Sequence, residues 1–250
     1  MDVRRLKLTI AYDGSNYAGF QWQPNDIGVQ QRLEEALQKL YPSVKRIHGS
    51  SRTDTGVHAR GMVAHVDVPH TRKEMTPSKL RLALNANLPE DVRISLIQRV
   101  ASDFHARFDA KGKQYRYFIW NHAAMDPLRR TQTWHMPRKL DLEAMRDASQ
   151  RFVGKHDFES FANCRSYKVE NYVRTLTRCD VQRRGPLLTV VIEGGGFLYK
   201  MCRGIVGTLI YVGEGKLKPA EINKILKQRD RRVAGMTAPA HGLVLWKVFY

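Results

Sequence analysis

The apolar positions of the first hundred residues follow two rhythms. Residues 6–12 alternate, the period of a strand with one buried face. Over residues 29–40 the spacing lengthens, and Leu33, Ala36, Leu37 and Leu40 fall on one face of a helix. Strand-like pieces follow at 44–48 and 62–68. In the second of these Met62, Ala64 and Val66 share one face, and Val63, His65 and Asp67 the other. Thr76-Pro77 opens a helix over 78–86 with Leu80, Ala83 and Leu84 inward, and 92–100 alternates again as a strand. The order is βαββαβ.

The second half repeats that order loosely. Strands are predicted at 114–120, 173–181, 187–192 and 243–249, and helices at 142–152 and 197–212. An extra helix over 219–226 is inserted before the last strand. Pro219 suits its first turn, and Ile222, Ile225 and Leu226 repeat at helical spacing. In the helix over 197–212, Leu198, Met201, Cys202, Ile205, Val206 and Leu209 form an apolar stripe, with Lys200, Arg203 and Gly207 on other sides. Glycine inside a helix costs about 1 kcal/mol, so Gly204 and Gly207 call for a reason, and close backbone approach is the usual one. The pattern predicts an α+β protein of two ferredoxin-like halves joined near 101–113, divided as residues 1–105 and 106–250. A pair of RNA-recognition motifs shares the βαββαβ order. It is excluded because Met62, Val63 and Ala64 stand after Arg60-Gly61 where stacking aromatics belong.

Charge narrows the class of partner. The 250 residues carry 42 Lys and Arg against 24 Asp and Glu, a formal +18. The excess is +4 over residues 1–105 and +14 over 106–250. A basic excess of this size points to a polyanion, nucleic acid before membrane. The longest apolar run, near 204–212, is too short to span a bilayer and is broken by glycines. The first residues enter a strand pattern and lack the features of a signal peptide, so a cytoplasmic protein is expected. Cys164, Cys179 and Cys202 are odd in number, far apart and without CxxC spacing, which reads as reduced thiols with neither disulfide nor zinc.

Chemistry concentrates in residues 49–66, GSSRTDTGVHARGMVAHV. Asp54 sits on a Gly/Ser/Thr-rich turn just before a strand, with Arg52 two residues away. A carboxylate there serves as nucleophile, as general base, or simply caps its own turn. His58 and Ser50 or Ser51 do not complete a hydrolase triad, because no nucleophile elbow is present. The GGG at 194–196 lacks G-x-G-x-x-G spacing and is no dinucleotide loop.

RTDTGVHA resembles the signature of the tRNA pseudouridine synthase A family. The resemblance extends through YDGSNYAGFQWQP (12–24), GVQQRLEEAL (from 28), ALNANLPEDV (83–92), FHARFDAKGKQYRY (104–117), GKHDFESF (154–161), GGGFLYKMCRGIVGTLIYVGEGK (194–216) and DRRVAGMTAPAHGLVLWKVFY at the end. It implies two halves forming one continuous antiparallel sheet, with flanking helices and a central basic cleft. The implied activity converts uridine to pseudouridine at positions 38, 39 and 40 in the anticodon stem-loop of tRNA. The implied enzyme is a homodimer without membrane attachment. Isomerising uridine adds no atoms and changes no oxidation state, so no cofactor is called for.

By the same resemblance Asp54 is the nucleophile, and Arg52 reaches the RNA and fills the gap the base leaves. Tyr115 packs on the uracil with its hydroxyl placed for proton transfer, while Tyr117, two residues along the same strand, is read as structural. Arg203 pairs with the catalytic carboxylate, and His58 is structural. The chain departs from the family at Ser51 (usually Gly), Met62 (often Gln) and Cys202 (usually Val or Ile). The Met62 departure removes a possible RNA contact. It keeps open a same-fold synthase for another RNA such as ribosomal RNA. A non-catalytic RNA-binding protein is the other alternative, and the complete set Asp54, Arg52, Tyr115 and Arg203 argues against it.

Overall fold

The computed structural model describes residues 3–70, 74–163 and 169–250. Among these the chain forms an α+β fold of ten strands and five α-helices. It divides into two compact units, residues 1–111 with 245–250, and residues 112–244.

The first unit runs β1 (Val3–Tyr12), α1 (Val29–Leu40), β2 (His48–Gly49), β3 (His58–Pro69), α2 (Pro77–Asn85) and β4 (Val92–Val100). β1 lies between β3 and β4, antiparallel to both, and β2 pairs with β3, giving the order β4-β1-β3-β2. Leu8 faces Ala64 on one side and Ile97 on the other, and Ile10 faces Met62 and Ile94. These side chains are fully buried or nearly so, as are Leu33, Ala36 and Leu37 of α1 and Leu80 and Leu84 of α2. Thr76 caps α2 by accepting the Lys79 amide, and Pro77 takes the first turn, where no backbone donor is needed. β3 is buried on both faces, not one. Val63 and His65 are covered, and His65 stacks on His48 with ring centroids 5.0 Å apart. The expected strand at 44–48 shrinks to two residues, His48 and Gly49.

The second unit runs β5 (Gly112–Asn121), β6 (Trp134–Met136), α3 (Leu142–Gln150), β7 (Gly154–Asp157), β8 (Val173–Arg184), β9 (Leu187–Gly194), α4 (Met201–Gly213) and α5 (Glu221–Gln228). Its sheet follows the order β5-β9-β8-β7 with antiparallel pairings, and β6 joins β5 in parallel. α4 starts at Met201, four residues later than the periodicity suggests, because Lys200 takes the left-handed conformation (φ 58°). The predicted stripe of α4 is buried throughout. Its glycines are explained by close approach: a Cβ on Gly204 would collide with the Phe161 carbonyl, and one on Gly207 with that of Met236.

A last strand, β10 (Leu243–Phe249), ends the chain, and residues 245–250 belong to the first unit. There Arg60 lies 4.4 Å over the Trp246 ring, the Tyr250 hydroxyl donates to the Ala106 carbonyl (2.6 Å), and the Lys111 amide donates to that of Phe249 (2.9 Å).

Candidate active site

Asp54 opens a β-turn. Its carbonyl accepts the Val57 amide at 3.1 Å, with Gly56 at the third position in the positive φ (75°) that such a turn asks of glycine. β3 begins at the next residue, His58, so the turn is tied to a buried strand. The segment after β1 clamps it from the other side. The Tyr12 hydroxyl and Thr53 Oγ1 share a hydrogen bond of 2.9 Å, and the Gly56 amide donates to the Tyr17 carbonyl. Gly19, at φ 90°, presses its α-carbon against the Thr53 carbonyl, where a Cβ would overlap the oxygen. Tyr12 and Tyr17 are themselves buried, and the Tyr17 hydroxyl donates to Asp91 at 2.6 Å. Burial raises the Tyr12 phenol well above its ordinary range, so it remains a neutral hydrogen-bonding group.

His58 serves this clamp. Its Nδ1 lies 3.0 Å from the Gly14 amide and 3.1 Å from Asp13 Oδ1. Asp13 Oδ1 already accepts both the amide and the hydroxyl of Ser15. The Gly14 amide has a proton to give, and Nδ1 accepts it. The imidazole is buried and joins the residues before the turn to the strand after it. Asp54 is half-buried, while Arg52 is exposed and makes no hydrogen bond or ion pair among the described residues. The first unit thus holds the backbone of the Asp54 turn from both sides and leaves Arg52 on the surface two residues before it.

In the second unit Tyr115 and Tyr117 both lie buried on β5 and differ in their contacts. Tyr117 is fully buried and donates to the Pro239 carbonyl at 2.8 Å. Tyr115 keeps 8% of its surface exposed and meets Phe197 edge-on at 4.9 Å. Arg203, half-buried on the first turn of α4, donates from Nε to the Ala238 carbonyl (2.7 Å), and its own carbonyl accepts the Ala238 amide (3.0 Å). Tyr117 and Arg203 are thus fastened to consecutive carbonyls.

Of the departures, Met62 is fully buried against Ser50 and fills the sheet's inner face, so in this chain the position offers no surface to RNA. Cys202 is buried within the α4 stripe, and burial raises the Cys179 thiol far above its usual range. Cys164 lies outside the described residues. Ser51 Oγ is buried with no hydrogen-bond partner among them. Also among them, no cluster of three or more His, Cys, Asp or Glu is arranged to hold a metal, and no helix is long and apolar enough to cross a membrane. Sequence reading picked out Asp54 and Arg203 but missed what holds them: Tyr12, Thr53 and Gly19 for the first, residues 235–238 for the second. The motifs YDGSNYAGF and RRVAGMTAPA were visible, but their partners lie elsewhere in the chain.

A model of the tRNA pseudouridine synthase family matches residues 8–109 and 148–250. The chain is 45% identical over 250 residues to tRNA pseudouridine synthase A of Geobacillus kaustophilus, across 99% of this chain and 95% of that one. It is 44% identical over 248 residues to the protein of the same name from Brevibacillus brevis, across 99% and 100% of the two. It is also 45% identical over 247 residues to tRNA pseudouridine synthase A 1 of Protochlamydia amoebophila, across 98% and 95%. The chain belongs to the tRNA pseudouridine synthase family, a family of isomerases.

Proposed function

We propose that the protein converts uridine to pseudouridine at positions 38, 39 and 40 in the anticodon stem-loop of tRNA, without a cofactor, as a cytoplasmic homodimer. The reaction breaks the N1–C1′ bond, turns the uracil, and joins C5 to C1′; N1 gains a proton and C5 loses one. Asp54 supplies the one carboxylate this needs, by covalent attack or by stabilising the separated sugar. Arg52 enters the space the base vacates, where a planar guanidinium both stacks and donates hydrogen bonds. Tyr115 packs on the uracil and moves a proton through its hydroxyl. Arg203 keeps the carboxylate ionised and aimed, as an arginine beside an acid does. Each unit is read as ferredoxin-like, a reading supported in the first by the strand order β4-β1-β3-β2.

The observation that carries this reading is the fixing of the Asp54 turn by Tyr12, Gly19 and His58. A carboxylate whose only task was to cap its own turn would not need three further anchors. The direct test is Asp54→Asn, assayed by pseudouridine formation on tRNA and by RNA affinity. Turnover should vanish while affinity stays within a few-fold, and turnover near that of the parent would remove Asp54 from the mechanism.

A further inference from the structure

Residues 234–239 run between two short 3-10 turns, Arg231–Val233 and Ala240–Gly242, and lie along α4 without regular secondary structure of their own. The fit leaves no room for a side chain at Gly235. A Cβ on Gly235 would stand 2.5 Å from Thr208 Cα and 2.6 Å from the Gly207 carbonyl. Thr208, fully buried, donates to the Gly204 carbonyl (2.8 Å) and accepts the Gly235 amide (2.9 Å). At the far end Ala238 holds Arg203 by two bonds, and the Pro239 carbonyl takes the Tyr117 hydroxyl. The near end is closed by Arg231, whose Nη1 donates to the Gly235 carbonyl (2.6 Å) and whose Nη2 donates to Thr237 Oγ1 (3.0 Å).

We propose that Arg231 is a positioning residue for Arg203, acting as a clasp that fixes residues 235–238 and through them the plane of the Arg203 guanidinium. The proposal rests on the reading above that Arg203 serves the reaction. The Ala238 carbonyl sets the direction of Arg203 Nε. No helix or strand of its own holds that carbonyl; its place is set by the bonds at Ala238 and Pro239 on one side and by the clasp and Thr208 on the other. A guanidinium suits the clasp because one rigid fork spans two acceptors, the Gly235 carbonyl and Thr237 Oγ1. A lysine ammonium on its flexible stem does not reproduce that geometry. Arg231 therefore influences the reaction without touching substrate, and its loss should appear in the rate before it appears in affinity.

The test is single-turnover pseudouridine formation, tRNA affinity and melting temperature for Arg231→Ala, Arg231→Lys and Thr237→Val, each alone and combined with Arg203→Ala. A displacement of about 1 Å in a positioned group costs on the order of 100-fold in rate. Arg231→Ala should therefore slow the reaction by roughly 10- to 100-fold with affinity within about threefold. Arg231→Lys and Thr237→Val, which disturb the fold least, should lie between it and the parent. In the Arg203→Ala background none of the three should slow the reaction further, because the group they position is gone. Rate losses that multiply in that background, or losses that track melting temperature alone, would assign Arg231 to general stability and overturn the proposal. An unchanged rate in Arg231→Ala overturns it too. A parental rate in Arg203→Ala alone would instead refute the role of Arg203, and the proposal would fall with it.

Discussion

Two glycines, each with positive φ, separate backbone strain from the packing that holds Asp54. Gly19 (φ 90°) leaves no space for a Cβ, which would meet the Thr53 carbonyl and the Asp54 backbone. Gly185 (φ 59°), in the turn between β8 and β9, has nothing within 4 Å of the same hypothetical atom. An alanine at Gly185 incurs only the left-handed conformation, about 1–2 kcal/mol. In a chain of this size that lowers the melting temperature by roughly 2–8 °C. An alanine at Gly19 incurs the same strain plus an overpacking cost of about 1–3 kcal/mol. Gly19→Ala should thus melt below Gly185→Ala by roughly 2–12 °C. The larger difference should appear in the reaction. Relief of the clash moves the Thr53 carbonyl, one residue from Asp54, so turnover should fall ~10- to 100-fold in Gly19→Ala and stay at the parental level in Gly185→Ala. The assays are thermal melting and single-turnover pseudouridine formation on both variants. Equal melting temperatures together with equal rates would refute the claim that the segment after β1 fixes the Asp54 turn.

Tyr115→Phe keeps the ring and loses the hydroxyl, so turnover should fall far more than tRNA affinity; an unchanged rate would make Tyr115 an ordinary residue of the sheet. The formal +18 implies that phosphate contacts supply most of the affinity. About six such contacts give a slope of log K against log salt near −4 to −6, and a slope near zero in a filter-binding titration would contradict it. Because phosphates carry no sequence, whole folded tRNAs of varied sequence should be modified well and an excised anticodon stem-loop poorly, which parallel assays decide. Burial, with His105 and His48 as neighbours, depresses His65 from about 6.5 to about 4. The unfolded chain takes up that proton first, so this contribution to stability is complete above pH 6.5 and is lost as pH falls toward 4. His65→Asn should flatten melting temperature against pH in that window.

Long-range periodicity made most of the elements readable. β1, α1, α2, β4, β5, α3, β8, β9, α4 and β10 each lie where alternation or helical spacing puts them, within a few residues. The short strands β6 and β7 were missed because three or four residues cannot establish a period, and Trp134–Met136 is a strand only because β5 offers it a parallel edge. The burial of His65 was illegible for a related reason: its cover comes from His105 and Phe104, forty residues on. Asp54 and Arg203 were readable through motif resemblance. The anchors of each were not, since nothing local in Tyr12 or Ala238 reports that its partner is a hydroxyl or an arginine in another segment.

The return of residues 245–250 to the first unit bears on how the protein is made. Gly61 of β3 packs where a Cβ would stand 2.5 Å from the Trp246 carbonyl, and Lys7 Nζ lies 4.1 Å over the Tyr250 ring. These partners are encoded far downstream of the strands that need them. At translation rates of about 5–20 residues per second, residues 1–111 wait roughly 7–30 s on the ribosome before residues 245–250 emerge. During that interval β3 lacks its neighbours from β10, and the Asp54 turn hangs from an unfinished sheet. The sheet that carries the Asp54 turn is therefore completed only after the segment carrying Arg203 has been synthesised, so the first unit is the earlier to be made and the later to be finished.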